Sequence, residues 1–370
     1  MARLGLGARW EPLFANDICE KKAAAYRANF PPALEMKRAD VAALSTGDLP
    51  GRPILSWASF PCQDLSLAGD RRGLEGRRSG TFWPFWRLME GMAREGRAVP
   101  MIVLENVVGA ITSNGGRDLA AILEVLATAG YRAGPLVLDA VHFVPQSRPR
   151  LFILAVRRGL PIPPLLTGDG PSLPWHSAAI QKAYGALAPA LRESWLWWRM
   201  PAPSERKATL ASIIEDDPSG VAWRSDEETN RLLSLMSEVN LQKVREAQRE
   251  GRRAVGAVYR RMRGGANGQR QQRAEVRFDG ISGCLRTPAG GSSRQIILVV
   301  EGDRIRSRLL SGREAARLMG APESYRLPKR YNETYHLFGD GLVVPVVSWI
   351  EKHLLYPIAA RAVRSAAFSP

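Results

Sequence analysis

Cysteine and histidine are scarce in this 370-residue chain, which has only three cysteines and four histidines. Cys19, Cys62 and Cys284 lie far apart, and none belongs to a C-x-x-C pair or has a histidine nearby. This spacing supports neither a disulfide framework nor a zinc site. If one of these cysteines is chemically active, it acts without a second cysteine.

Long apolar runs are missing as well, since none approaches the roughly 18 residues that span a bilayer. The start, MARLGLGARWEP, is interrupted by Arg3 and Arg9 before a signal-peptide core could form. We therefore expect a cytoplasmic protein without a membrane partner or a bound metal.

Negative charge is in deficit: 52 lysines and arginines face 36 aspartates and glutamates, which gives a formal net charge of +16. Such an excess favours a polyanionic partner, and the lack of a lysine-rich amphipathic helix favours nucleic acid over a membrane surface. An arginine-rich composition that merely reflects a GC-rich genome is the alternative.

The first part of the chain alternates short apolar runs with helical patterns, which predicts an α/β fold with a mostly parallel sheet. Predicted strands include RPILSWASF, VPMIVLENV, YRAGPLVLDA and PRLFILAVR. A proline- and glycine-rich stretch from residue 159 predicts the exit from this domain. We expect a first domain over 1–158, a second over 159–305, and a return to the first over 306–370, with no internal repeat.

The second domain is predicted to be smaller and irregular. A capping box from Ser225 to Glu228 predicts one helix that runs through to about residue 253. The stretch RRMRGGANGQRQQRAEVRFDG that follows is predicted to be a loop.

Polar clusters follow three of the predicted strands: PCQ at 61–63, ENV at 105–107 and QSRPR at 146–150. Strand ends of one open sheet converge on one crevice, so a thiol, a carboxyl and two guanidinium groups could share a site. Each cluster also has a simpler explanation: a buried cysteine in PCQ, a solvated glutamate in ENV and a basic surface in QSRPR. The order and spacing of the three clusters together favour a shared site.

These motifs resemble those of the DNA (cytosine-5) methyltransferase family. The similarity covers, in family order, FPCQDLSLAG, GLEGRRSGTFW, ENV, QSRPR, LSGREAARLMGAPESY and GDGLVVPVVSWI. It implies a Rossmann-like methyltransferase sheet, a target-recognition domain, and methyl transfer from S-adenosylmethionine to carbon 5 of a cytosine flipped out of double-stranded DNA. It also implies a monomer with a cognate restriction endonuclease in the same system.

The resemblance assigns catalytic roles to four residues. Cys62 would attack carbon 6 of the ring as a thiolate, and Glu105 would bind N3 and the exocyclic amine. Arg148 and Arg150 would supply positive charge, with Arg150 the contact to the base carbonyl. The basic loop QDLSLAGDRRGLEGRRSG would close over the DNA as a lid.

The resemblance also assigns cofactor contacts, although the aspartates among them would otherwise read as routine helix caps. Asp17 would accept hydrogen bonds from the ribose, and Ile18 and Asp40 would contact the adenine. Phe60 and Pro61 would shape the pocket near the sulfonium. Asp340 stands where the family usually has asparagine, which keeps the acceptor and loses the amide donor.

One family feature is not seen in this sequence. In the family, a strand and an F-x-G-x-G turn precede the segment that matches MARLGLGARW. Two explanations are open. Either the coding start lies upstream of Met1, which we favour, or the chain is a DNA-binding remnant that does not methylate. Methylation of RNA is a further alternative, disfavoured by the size of the second domain.

Target recognition is expected from the arginine-dense stretch 245–277. Its amides Asn267, Gln269, Gln271 and Gln272 suit adenine edges, and its arginines suit phosphates or guanine. The alternative is a solvated basic face. Thr287, Gly290 and Gly291 match the segment that approaches the flipped base, and Cys284 is expected to be structural.

Overall fold

The computed structural model describes residues 1–60, 81–264, 270–287 and 294–367. The β-strands of this part are β1 (Ala15–Asp17), β2 (Met36–Arg38), β3 (Leu55–Ser59), β4 (Met101–Val107), β5 (Tyr131–Asp139), β6 (Pro149–Arg157), β7 (Thr167–Gly168), β8 (Trp197–Trp198), β9 (Ala254–Gly264), β10 (Arg270–Arg277), β11 (Ile296–Glu301) and β12 (Arg304–Leu309). Its α-helices are α1 (Ala2–Leu6), α2 (Glu20–Asn29), α3 (Phe82–Arg94), α4 (Arg117–Thr128), α5 (Ala178–Ala186), α6 (Pro189–Arg192), α7 (Leu210–Ile213), α8 (Asp226–Ser234), α9 (Glu238–Arg249), α10 (Gly312–Leu318), α11 (Tyr331–Gly339), α12 (Val344–Ile350) and α13 (Tyr356–Ala367).

The chain divides into two compact units. We call one the sheet unit, made of Ala2–Asp139, Pro149–Ala202 and Val347–Pro370. The other, the arginine unit, comprises Met1, Ala140–Arg148 and Pro203–Val346. The limits of these units differ from the boundaries predicted at 158/159 and 305/306. Those boundaries are drawn for a target-recognition domain, and that assignment stays a prediction.

The sheet unit contains a four-stranded mixed sheet in the order β3-β4-β6-β5. Strand β3 is parallel to β4, whereas β6 is antiparallel to both β4 and β5. Strands β3, β4 and β5 therefore run in the same direction, as a mostly parallel sheet requires, and β6 alone of these four runs against them. Only residues 140–148 separate β5 from β6, and a parallel connection needs a helical crossover of a dozen or more residues.

The core of the sheet unit lies between the sheet and helices α3 and α4. Strand β4 is buried on both faces, and its residues from Met101 to Leu104 are at most 1% exposed. Ile102 and Leu104 belong to the cluster that includes Trp86 of α3 and Ile122 of α4. Because alternate residues of a strand point to opposite faces, Glu105 lies on the other face from this cluster.

A separate two-stranded parallel sheet is formed by β1 and β2, in which Asp17 pairs with Arg38. The Asn16 side chain donates hydrogen bonds to the carbonyls of Lys37 and Ala39, at 3.1 and 2.9 Å. These bonds fix the end of β2 next to the end of β1. Asp17, the last residue of β1, and Asp40, two residues beyond the end of β2, thus lie at neighbouring strand ends.

The arginine unit contains a four-stranded antiparallel sheet in the order β10-β9-β11-β12. Helices α8 and α9 pack on one face through an apolar cluster, which includes Leu232, Val244, Val258 and Leu298. The capping box of Ser225 and Glu228 is confirmed at the start of α8. The single helix predicted after it is wrong, since Ser237 begins a second helix, α9.

The stretch predicted as a loop is instead a hairpin formed by β9 and β10, with Gly264 paired to Arg270 and Ala257 to Arg277. Arginine and glutamine at the solvent-facing positions hide the alternation on which strand prediction depends. The inward positions Val258, Ala274 and Val276 are at most 3% exposed, which supplies the apolar face that a strand needs.

One helical stretch of the described residues, Tyr331–Ala362, has the length and mean hydropathy (1.2) of a membrane-spanning helix. Of its most apolar window, 56% is buried inside the protein, as is usual for a core helix. Residues 340–343 also interrupt the helix between α11 and α12. Length and composition are therefore weak support for a membrane span here.

Candidate functional site

Glu105 and Arg150 come together at the end of β4. Glu105 pairs with Phe152 of β6, and Arg150 lies two residues from Phe152 and so points to the same face of the sheet. The Arg150 Nε atom lies 3.3 Å from the Glu105 Oε1 atom. The two sequence motifs ENV and QSRPR are thus joined by one ion pair.

The environment of this ion pair is largely shielded from water. Glu105 is 9% exposed, and the side chain of Arg150 is 18% exposed. Charges that are only partly hydrated interact more strongly with each other and with a bound ring than they would at the surface. A carboxyl and a guanidinium at this separation offer the donors and acceptors that a cytosine edge requires.

Asn106 ties this site to the strand that leads to the predicted nucleophile. Its Nδ2 atom donates to the backbone oxygen of Phe60, 3.1 Å away, and its Oδ1 atom accepts from the Val107 amide at 2.8 Å. Ser59 pairs with Glu105 in the parallel register of β3 and β4. Sequence reasoning passed over Asn106, although it stands in the middle of the ENV motif.

Phe60 is the last described residue before the PCQ motif. Its ring packs against Phe82 of α3, with the ring centroids 5.6 Å apart. Pro61 and Cys62, together with the predicted lid, lie outside the described residues. The register of β3 against β4 pairs Ser59, three residues before Cys62, with Glu105.

Asp17 ends β1, Ile18 follows it, and Asp40 lies two residues beyond the end of β2. The Asp17 Oδ1 atom accepts from the Cys19 amide at 2.8 Å, and the Asp40 Oδ1 atom accepts from the Ala42 amide at 2.9 Å. Carboxylate oxygens have further lone pairs for hydroxyl or amino groups. Ile18 is 63% exposed, which is high for a large apolar side chain.

Arg148, by contrast, belongs to the arginine unit. It is 2% exposed, and its guanidinium donates to the carbonyls of Gly339, Gly341 and Leu285, each at 2.8 Å, with the Cys284 Sγ atom 3.1 Å away. These contacts describe a clamp between two chain segments. They differ from the charge donation to a base that the sequence predicts for Arg148, a role that stays a prediction.

The clamp holds the segment that contains Asp340. The Thr287 hydroxyl donates to the Asp340 Oδ1 atom. The backbone of Gly339 lies so close that a Cβ atom there would be 2.8 Å from the Thr287 amide nitrogen. Glycine is therefore required at 339 by close approach. The contact uses the acceptor that aspartate shares with asparagine, and the predicted cofactor role of Asp340 stays untested.

No group of three or more metal-ligating side chains occurs among the residues that the structure describes.

The charged surface of the β9–β10 hairpin is the other feature of functional interest. Of the predicted base-reading amides, Gln271 and Gln272 lie in β10, while Asn267 and Gln269 fall outside the described ranges, as do Gly290 and Gly291.

Comparison with known proteins agrees with these motifs. Residues 2–355 match the family model of C-5 cytosine-specific DNA methylases. The type II methyltransferase M.NlaIV of Neisseria lactamica is 23% identical, with 94% of this chain and 92% of that protein covered; M.NgoBI of Neisseria gonorrhoeae is 26% identical over 90% and 83%.

Solved structures of the same fold include S. pombe Dnmt2, at a TM-score of 0.55 with 18% identity and coverage of 94% and 91%. A Dnmt2 mutant from Spodoptera frugiperda gives a TM-score of 0.56 with 17% identity and coverage of 96% and 94%. The family-model match, which extends over nearly the whole chain, shows that this chain belongs to the C-5 cytosine-specific DNA methylase family.

Proposed function

We propose that this protein transfers a methyl group to carbon 5 of cytosine within a specific sequence of double-stranded DNA. Enzymes of its family use S-adenosylmethionine as the methyl donor. The observation that carries the proposal is the ion pair of Glu105 in β4 and Arg150 in β6, which lies beside the end of β3, the strand from which the chain proceeds to Cys62.

Cys62 is the proposed nucleophile. Its thiolate forms a bond to carbon 6 of a cytosine flipped out of the duplex, which places electron density on carbon 5. Glu105 holds N3 and the exocyclic amine, and Arg150 binds the base carbonyl, so both stabilise the charge that enters the ring. After methyl transfer, carbon 5 loses its proton, the ring double bond re-forms, and the Cys62 thiolate leaves.

When bound, S-adenosylmethionine supplies the methyl group as part of a sulfonium. Asp17 would accept from the ribose hydroxyls, and Ile18 and Asp40 would contact the adenine. Phe60 and Pro61 would border the sulfonium. The exposed Ile18 beside two strand-end acids supports this assignment.

Arg148 is proposed to act by position. Its bonds to three backbone carbonyls would fix the Gly339–Gly341 segment and the chain around Leu285. Asp340 and Thr287 are held by the same bonds, which would keep them in place for cofactor or DNA.

The setting is proposed to be the bacterial cytoplasm or nucleoid, or a phage, with double-stranded DNA as the partner. The relatives M.NlaIV and M.NgoBI are type II methyltransferases, which supports pairing with a cognate restriction endonuclease. We expect the protein to act as a monomer.

Bisulfite sequencing of DNA from cells that express the protein tests the proposal. We expect 5-methylcytosine at one recurrent sequence, and none in cells that express Cys62→Ser. Labelled methyl transfer to duplex DNA and to tRNA in parallel distinguishes an RNA methyltransferase. Salt-sensitive DNA binding with no methylation of either substrate would instead identify the protein as a silent DNA-binding remnant.

A further inference from the structure

The exposed face of the β9–β10 hairpin carries a high density of arginine. Alternate residues of the two strands share this face: Arg261 and Arg263 of β9, and Gln271, Arg273 and Glu275 of β10. Arg261 lies directly opposite Arg273, and like charges that face each other across strands destabilise a hairpin. A face of this kind suits a polyanion, and a two-stranded ribbon fits the major groove of DNA.

One carboxylate interrupts the positive charge. The Glu275 Oε1 atom accepts from the Nη2 and Nε atoms of Arg263, at 2.6 and 2.8 Å, and its Oε2 atom lies 3.7 Å from the Nε atom of Arg261. The side chains of both arginines are about half exposed, at 52% for Arg261 and 53% for Arg263. One acid thus neutralises two arginines that would otherwise be available to phosphates.

We propose that Glu275 lowers the affinity of this protein for non-specific DNA by competing with phosphates for Arg261 and Arg263. Each arginine must exchange its carboxylate for a phosphate when the hairpin binds DNA. At a target sequence, base contacts offset that exchange, whereas at other sequences nothing does. Glu275 is therefore a specificity-determining residue, and this inference rests on the DNA methylation proposed above.

The opposing view is that Glu275 only stabilises the hairpin as a cross-strand ion pair. Exposed ion pairs contribute little to stability, about 0–1 kcal/mol. Thermal unfolding and DNA binding therefore distinguish the two roles. If the role of Glu275 were purely structural, its substitution would change thermal unfolding and leave the salt dependence of DNA binding unchanged.

The test measures binding of the full chain to a short mixed-sequence duplex by fluorescence anisotropy over a range of salt concentrations. We expect Glu275→Gln to bind about 5- to 50-fold more tightly at low salt. We also expect the slope of log K against log salt to steepen by up to about 1.8, since each phosphate contact contributes about 0.9.

Glu323→Gln is the matched control, because Glu323 also contacts two arginines, Arg317 at 2.8 Å and Arg313 at 3.8 Å. Those arginines additionally donate to the carbonyls of Ile213 and Tyr325, so they stay held when the acid is neutralised. We expect little change in affinity or slope for this control.

In the double variant that carries Glu275→Gln and Arg263→Gln, the slope of log K against log salt should lose about half of the increase caused by Glu275→Gln. Arg263→Gln alone should make the slope shallower than that of the wild type by less than about 0.9. The single arginine variant also serves if Glu275→Gln fails to fold. A slope for Glu275→Gln equal to that of Glu323→Gln would overturn the inference while leaving DNA methylation intact. A folded wild-type protein that methylates no duplex DNA would instead contradict the proposed function.

Discussion

The two four-stranded sheets in the described part of this protein place charge in opposite ways. In the sheet unit, β4 is buried on both faces, and its one acid, Glu105, is 9% exposed and paired with a single arginine. In the arginine unit, the hairpin of β9 and β10 buries one face and exposes several arginines on the other. The first arrangement suits chemistry on one ring in a shielded site. The second suits reversible contact with a long polyanion, so the two sheets are expected to respond differently to substitution.

Glu105→Gln should have the largest effect, confined to catalysis. We expect kcat to fall by about 100- to 10,000-fold, because the amide cannot share a proton with N3 of the ring. The affinity for duplex DNA, measured by anisotropy, should change by less than about twofold, since other residues bind the phosphates. Equal losses of kcat and DNA affinity in a folded variant would remove the contrast between the two sheets.

Lysine substitutions at the two arginines of QSRPR sharpen the comparison, because both keep the positive charge. Arg148→Lys should lower the free energy of unfolding by about 2–4 kcal/mol, since one ammonium cannot reach all the acceptors that the guanidinium bonds. Chemical denaturation measures this change.

Arg150→Lys should instead leave the free energy of unfolding within about 1 kcal/mol of wild type and lower kcat by about 10- to 100-fold. Arg150 is the matched control for Arg148 because only Pro149 separates them in the sequence. Similar stability losses in both variants would show that the two arginines do not differ in the way we describe.

Acid should destabilise the sheet unit through His176, which is fully buried and packs edge-on against Trp197. Burial lowers the pKa of His176 from its ordinary value of 6.5 to about 4. The unfolded chain therefore binds a proton between pH 6.5 and 4 that the folded chain does not, so stability falls as the pH falls through this window. The loss should reach about 3 kcal/mol by pH 4.

Urea unfolding at several pH values measures the loss, with His176→Gln as the control. Subtracting the variant removes the contribution of the carboxyl groups, which also titrate at the acid end. A variant with the same pH dependence as the wild type would mean that His176 does not cause it.

Much of the sheet unit could be predicted from sequence, because its strands are apolar on both faces and stand out as continuous runs. RPILSWASF, VPMIVLENV, YRAGPLVLDA and PRLFILAVR all correspond to strands. Their direction was not predictable from those runs. It depends on the short connection between β5 and β6, which makes β6 antiparallel to its neighbours.

The candidate site was predictable in part. The order of the motifs predicts a shared site for Glu105 and Arg150. The structure pairs them because β6 runs antiparallel to β4, so that the start of β6 lies beside the end of β4. The separation of Arg148 from that pair could not be predicted, since spacing alone does not tell which of two arginines points into a clamp of carbonyls. Gln146 of the same motif is also buried, and it bonds to Leu285 and Leu318.

Trapping of the protein on duplex DNA that contains 5-fluorocytosine tests the central claim most directly, because fluorine at carbon 5 blocks the elimination that releases the enzyme. With S-adenosylmethionine present, we expect a covalent complex that survives denaturing electrophoresis, forms with wild type and is absent with Cys62→Ser. Wild-type protein that binds the duplex and accepts the cofactor, yet forms no such complex, would contradict the assignment of Cys62 as nucleophile beside Glu105.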